Sequence, residues 1–461
     1  MATVLSRRRF LTSVGALGGS ALLAACGGAT PAGAPSGQAG QEVAATSAPA
    51  AAAEKVKVLY WQYMTDMPDI EIPILESFAA SRSDIDLTWE YIPWDEYWTK
   101  INATLAAGNP PDVWNTAPTF YFEYILRNQL ADLTDLFKQT VDEDDFFTAS
   151  LSGYDLEEKY YGMPRNIVTV VCWFNKTLFD EAGVEPPPLD GNWTWDDYLQ
   201  KAKAVTDFHN KGSDKITTFG ASTIQALGWL NPLIWANGGD AFLGTFRRDL
   251  KDVNVDLTQP VPSSTIGYFA DLINKEKVAP PAGEFEGQGD PMLTGRLAMS
   301  FGLNFGINTY KDAQFECNLT QIPKGSEKRV TYGGADGLVL SQASQVKSQA
   351  WDLILHLIDP ATGGEFLISS GAMPVLKNQE VIDAYLGRHP EKNMQAFIDA
   401  AEVCDNAFCL GYSEFNTAVE DELANLFLGA SSLEEACSKA TSAGNAAIAK
   451  IWQQYQEAIG G

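Results

Sequence analysis

Histidine and cysteine are scarce in this chain of 461 residues, at three and six. His209, His356 and His389 fall in unrelated contexts. No HExxH helix and no CxxC pair offers zinc-binding spacing. No GxxxxGK[ST] loop is present to cradle a phosphate, and no GxSxG turn exposes a serine nucleophile. Basic residues are few as well: 32 Lys and Arg stand against 59 Asp and Glu, a net charge of −27. That balance disfavours nucleic acid and anionic lipid surfaces as partners. The acidic run Asp142-Glu143-Asp144-Asp145 lacks the glycine of a calcium loop and reads as a surface helix start. No metal and no cofactor is expected.

The apolar run that follows the N-terminus is too short and too glycine-rich for a transmembrane helix. Residues 6–26 read SRRRFLTSVGALGGSALLAAC. A basic start, an apolar stretch and a small-residue ending are the layout of an export signal. Ser6-Arg7-Arg8-Arg9-Phe10-Leu11 resembles the twin-arginine motif, with Thr12 where a lysine is common, so the general secretory route stays open. Leu23-Ala24-Ala25-Cys26 resembles a bacterial lipobox, which implies a signal over 1–25 and lipidation of Cys26. Because the signal holds three arginines and no acids, its removal makes the chain still more negative. Residues 26–54 are rich in Ala, Gly, Pro, Ser and Thr and hold almost no large apolar side chain. Such a segment cannot offset its ordering entropy and reads as a flexible tether. An exported, membrane-anchored protein is the expectation. With Cys26 lipidated, five cysteines remain. Cys404 and Cys409 are placed for a local bridge in an oxidising compartment, whereas Cys172 sits in an apolar run and reads as a core thiol.

The folded part opens at Val56-Lys57-Val58-Leu59-Tyr60-Trp61, a strand. Helical spacing over 68–82, a strand at 85–89, helical spacing from Trp94 to a stop at Gly108, and a strand from Val113 complete a β-α-β-α-β pattern. This is the signature of a parallel sheet covered by helices. Later the pattern predicts a strand over 167–174, a helix Lys176–Ala182, and a helix capped by Thr194 that runs to Thr206. Short strands are expected at 216–221 and 297–301. Helices are expected over 346–358, 379–386, 391–404, 415–428, 432–442 and 445–457.

Aromatic side chains gather at strand ends and loops: Trp61 and Tyr63, then Trp114 with Phe120, Tyr121 and Phe122, then Trp229 and Trp235, then Phe305. In open α/β sheets ligands bind beyond the carboxyl ends of the strands. Rings offer apolar faces there and neighbouring Asn, Asp and Arg offer hydrogen bonds, a mixture suited to sugars.

Several segments, in order, resemble the family 1 extracellular solute-binding proteins of ABC importers, the class containing maltose-binding protein. Leu105-Ala106-Ala107-Gly108-Asn109-Pro110-Pro111-Asp112-Val113 is similar to the family's AAGNPPDV turn. Tyr161-Gly162-Met163-Pro164 resembles its first crossover, and Trp173 to Val184 (WFNKTLFDEAGV) resembles its YNKDLFEEAG segment. Trp195-Asp196-Asp197-Tyr198, Asn237-Gly238-Gly239 and Gly295-Arg296-Leu297-Ala298-Met299 follow in family order.

The resemblance implies a type II periplasmic-binding-protein fold: two α/β lobes joined by hinge strands, with ligand in the cleft between them. Lobe 1 would be 55–165 with 331–372, and lobe 2 would be 166–330 with 373–461. Ligand contacts would come from Trp61, Tyr63, Asn115, Thr116, Thr119, Arg165, Asn166, Trp229, Asn304, Phe305, Gly334 and Asp336. Phe305 stands where some relatives carry a tryptophan platform. The implied function is non-enzymatic: capture of a mono- or oligosaccharide by a monomeric receptor, for delivery to the permease subunits of an ABC transporter. Two alternatives stay open. One is a surface-tethered glycoside hydrolase using two carboxylates. The other is a receptor for another solute, such as an opine or a polyol phosphate, with Arg165 as its anion partner or as a hinge ion pair.

Overall fold

The computed structural model describes residues 54–461 apart from 118, 152–153, 157, 244–252, 312, 370, 406–411 and 460–461. The expected signal, Cys26, the tether up to residue 53, and Cys409 lie outside the described residues.

Strand β1 (Val56–Gln62) pairs in parallel with β2 (Ile85–Tyr91), from Val56↔Ile85 to Gln62↔Tyr91, and with β3 (Val113–Thr116). Helix α1 (Pro68–Ser81) starts on a proline, whose missing N–H is no loss at the first helical position. It buries Ile74, Leu75 and Phe78. Helix α2 (Trp94–Ala107) ends at Gly108, whose φ of 74° only glycine adopts without strain. This is the β-α-β-α-β unit the sequence predicts.

Beyond it, one strand organises the molecule. Gly162–Asn175 is buried along its whole length. From Gly162 to Thr169 it pairs antiparallel with the return strand Thr331–Leu340, which also pairs with β3. From Val170 to Asn175 it pairs instead with Met299–Leu303 and Cys317–Thr320. It therefore passes from one sheet into a second, changing partners between Thr169 and Val170. The segment Met373–Pro374 crosses beside it, opposite Ile167 and Asn166.

Local signals set the helix starts. Asn175 Oδ1 accepts the Leu178 N–H and opens the helix Lys176–Ala182, which Gly183 closes in the left-handed conformation. Thr194 and Asp197 form a reciprocal capping box at the start of Trp195–His209.

Four expectations are corrected. Residues 216–221 are not a strand: only Phe219 bridges Leu297. The bonds of this segment alternate between side chains and backbone: Asn210 Oδ1 accepts the N–H of Thr217 and Thr218 and Thr206 Oγ1 that of Gly220, while Phe219 exchanges backbone bonds with Arg296 and Ala298 and Ala221 donates to Val278. The strand expected over 167–174 begins five residues earlier, at Gly162. The helix expected over 391–404 spans only Gln395–Glu402, and Cys404–Asp405 pairs with Thr331–Tyr332. The two terminal helices are one, Leu433–Ile459. Gly444 does not break it, because a Cβ there would stand 2.7 Å from Val255 and 2.9 Å from Val419; the glycine serves close packing. Cys404 is a free thiol, pushed up to about 12 by burial. Cys172 is a fully buried core thiol, as expected.

Candidate functional site

At the end of β1, Gln62 is fully buried. Its Oε1 accepts the N–H groups of Tyr63 and Met64 and the Asn115 Nδ2 at 2.7 Å. Its Nε2 donates to Tyr60. One layer deeper, Glu71 of α1 accepts from the hydroxyls of Tyr60 (2.9 Å) and Tyr91 (2.7 Å) and pairs with Arg165 of the long strand. The Arg165 guanidinium also lies 3.5 Å above the Phe366 ring. Both charged partners are wholly buried. Arg165 is thus engaged by α1 and by Phe366.

The next residue on the strand, Asn166, faces a different set of groups. Its Nδ2 donates to Asp336 of the return strand at 3.2 Å. The Tyr63 hydroxyl faces the same carboxylate from outside good hydrogen-bond geometry and favours its charged form weakly. Burial dominates and pushes the Asp336 carboxyl up to about 7. Around this pair, four buried polar atoms have no partner: Tyr63 OH, Trp98 Nε1, Asn115 Oδ1 and Asn166 Oδ1. Each carries a desolvation cost of about 1–3 kcal/mol when left unpaired. Such atoms are completed by ordered water or by a polar guest; others occur elsewhere in the chain, at Asn231, Gln259 and Ser431 among them.

Aromatic rings enclose this cluster. The Tyr63 ring centroid lies 4.9 Å from Trp94, 5.3 Å from Tyr97 and 5.7 Å from Trp98. Trp98 packs on Phe120 at 4.1 Å. The neighbouring Thr119 hydrogen-bonds Tyr332 of the return strand, and Tyr332 stacks on Trp229 at 5.8 Å and 30°. Contacts thus run continuously from Asp336 through Tyr63 and Phe120 to Trp229.

Of the residues singled out from the sequence, Tyr63, Asn115, Asn166 and Asp336 come together, with Thr119 and Trp229 along the same wall. Trp61 is nearly buried and its ring face is covered by the Lys100 ammonium at 4.5 Å. Asn304 is fully buried: its Nδ2 donates to the Ile167 carbonyl and its Oδ1 accepts the Thr169 N–H. It fixes the turn before the half-buried Phe305 to the long strand. Gly334 and Thr116 lie within paired strands, opposite Val168 and Gly337. Trp94, Trp98 and Tyr332 escaped the sequence reading. The available signal was the i, i+4 pair of tryptophans lying off the Tyr97–Ile101 face of α2.

A separate cavity of about 350 Å³ lies among Trp195, Leu233, Asn237, Thr265, Tyr268 and Phe269. Asn237, Thr265 and Tyr268 already have hydrogen-bond partners there. It lacks the open polar atoms that mark the cluster around Asp336.

Residues 61–373 match the model of the bacterial extracellular solute-binding protein family. The chain belongs to this family. Among relatives of this solute-binding protein, a putative binding protein of Brucella abortus is 22% identical over 361 residues, 77% of this chain and 84% of that one. The arabinooligosaccharide-binding protein of Bacillus subtilis is 26% identical over 235 residues, half of each chain. Among solved structures, the ABC substrate-binding protein of Listeria monocytogenes in complex with cycloalternan superposes with a TM-score of 0.73. It is 21% identical and covers 88% of this chain and 100% of that one. The fold of the solute-binding protein is accordingly the two-lobed type II α/β fold. Among its described residues no helix is long and apolar enough to cross a membrane, and no cluster of His, Cys, Asp and Glu has metal-site geometry.

Proposed function

We propose that this solute-binding protein captures a carbohydrate between its two lobes, without chemical change, and presents it to the permease of an ABC importer. The observation that carries this reading is the cluster of unpartnered polar atoms around Asp336, walled by Tyr63, Trp98, Phe120, Tyr332 and Trp229. Ring faces for C–H surfaces and open hydrogen-bonding atoms for hydroxyls are what a sugar requires. The sugar ligands named for the Listeria and Bacillus relatives favour the same class. An anionic solute is disfavoured because the Arg165 charge is neutralised by Glu71 through Nη1, although its Nε and Nη2 have no partner.

The lobes are proposed as 55–165 with 331–372, and 166–330 with 373–461. The partner change of the long strand at Thr169/Val170 supports this division, as does the crossing at Met373–Pro374. The protein is proposed to be exported, anchored through a lipidated Cys26, and monomeric.

A thermal-shift screen of neutral sugars tests the capture reading. A ligand at 100-fold its Kd adds about 2.7 kcal/mol of apparent stability. Incubation with the same oligosaccharides should leave them uncleaved; new reducing ends would instead indicate a hydrolase. Cys26→Ser should move the protein from the membrane to the soluble fraction, and retention on the membrane would exclude the anchor.

A further inference from the structure

Asp336 is 5% exposed and sits among neutral groups. From the end of β1 it faces Tyr63, from the loop before the long strand Tyr154, and from its own strand Tyr332. Burial holds all three phenols in the neutral form. The long strand contributes Asn166, whose amide donates to it. The nearest cation along that strand, Arg165, is bound to Glu71 and to the Phe366 ring. Lys100 covers Trp61 and pairs with Glu90. Among the described residues, Asp336 therefore has no cationic partner, a costly state for a buried carboxylate.

The open atoms around it have a definite polarity. Gln62 Oε1 is fixed as an acceptor by two backbone N–H groups, so Asn115 must turn its Nδ2 toward it and leave Oδ1 free. Asn166 must turn its Nδ2 toward the carboxylate, which again leaves Oδ1 free. Around the carboxylate the site thus offers two amide oxygens as further acceptors, against the Tyr63 hydroxyl and the Trp98 N–H as donors; the other open N–H groups nearby, Trp61 Nε1 and Arg165 Nε and Nη2, belong to side chains packed against Lys100 and against Glu71 and Phe366. A guest that completes it must bring hydrogens.

We propose that Asp336, with the free oxygens of Asn115 and Asn166, sets the class of ligand: the cleft takes uncharged or ammonium-bearing sugars and rejects phosphorylated or carboxylated ones, and capture requires Asp336 to be ionised. The inference rests on the cleft being the ligand site. A phosphate would bring only acceptors and negative charge to an acceptor-rich site. Hydroxyl or ammonium donors favour the carboxylate, so binding lowers its pKa and releases a proton when the free carboxyl is protonated. With the free carboxyl near 7, affinity rises with pH up to about 7 and is level above it.

Titration calorimetry on the wild type and Asp336→Asn tests this, with maltotriose, arabinotriose, glucosamine, glucose 6-phosphate and glycerol 3-phosphate at pH 6 and pH 8. The wild type should bind a neutral sugar about tenfold more tightly at pH 8 than at pH 6, and an amino sugar, whose ammonium is itself lost toward pH 8, with a smaller rise. It should bind neither phosphate ester. Asp336→Asn should bind more weakly at pH 8, with affinities at the two pH values within about twofold of each other. Tight binding of a phosphate ester overturns the inference. So does a neutral sugar whose affinity and pH profile are the same in both proteins, although the receptor reading then survives. If no probe binds the wild type at either pH, the sugar-receptor reading falls and the inference with it.

Discussion

Arg165 shows how a residue type can be read correctly while its direction stays hidden. The sequence marks it as the first residue after the Tyr161–Pro164 crossover, with two roles open: anion partner or hinge ion pair. The structure gives it Glu71, a residue 94 positions away that no local pattern could connect to it. Removing one partner leaves a buried charge uncompensated, so Glu71→Ala should lower unfolding stability by about 3–5 kcal/mol in urea titrations. A loss below about 1 kcal/mol would mean that water reaches the pair. Tyr63 illustrates the opposite case. Its hydroxyl has no good partner in the free protein, so Tyr63→Phe should keep or slightly raise stability while weakening sugar binding by roughly 0.5–1.5 kcal/mol, the net scale of one hydrogen bond. Unchanged affinity would place the ligand away from that hydroxyl. Asp336 adds a pH signature to the free protein. Its carboxyl rises from an ordinary 3.8 to about 7, so between these values the folded state holds a proton that the unfolded state has released. Stability therefore falls as pH rises through this window. Asp336→Asn should remove that slope, measured as the difference between the two proteins at pH 4.5 and pH 7.5. Parallel curves would contradict the burial of the carboxyl.

At the level of elements, local chemistry was legible where a few neighbouring residues decide the outcome. Thr194 and Gly108 mark helix ends by side-chain capping and by positive φ, and the structure places them at those ends, with Asn175 and Gly183 doing the same for Lys176–Ala182. Thr194→Ala should remove the hydroxyl's half of the capping box, leaving Asp197 bonded only to the backbone N–H of position 194, and cost about 1 kcal/mol; a change within experimental error would show that packing alone holds that end. The failures share another cause. Residues 216–221 look like a strand because apolar residues are present, but their hydrogen bonds are divided among Asn210 and Thr206 at the end of the preceding helix, Arg296 and Ala298, and Val278, so no ladder forms. Gly444 looks like a break because its packing against Val255 and Val419 depends on distant elements. Gly162 to Asn166 fall outside the strand expected over 167–174 because the sequence does not show that the return strand lies alongside.

For the whole molecule, the ordered run of motifs from Leu105 to Met299 was enough to indicate the family and the fold, since order and spacing along the chain are global constraints. The cleft was only partly legible. Tyr63 follows from its place after the first strand, and Asn115, Asn166 and Asp336 from the family resemblance, and the structure brings these four together; Trp98 and Tyr332, which join them, carry no such sequence signal. The central claim is that two lobes close on a sugar that neither holds alone. Asn115 and Tyr63 stand on the β1–β3 side, and Trp229 stands on the helix Leu227–Ala236, after the long strand has entered the second sheet. A ligand shifts the molecule toward closure only if it contacts both sides. Small-angle scattering, with and without the tightest-binding neutral sugar at saturation, measures this directly. The radius of gyration should fall on binding, and at a sugar concentration near the wild-type Kd Trp229→Ala should reduce that fall in proportion to lost occupancy. A saturated protein with the same radius of gyration as the free one would contradict capture by closure.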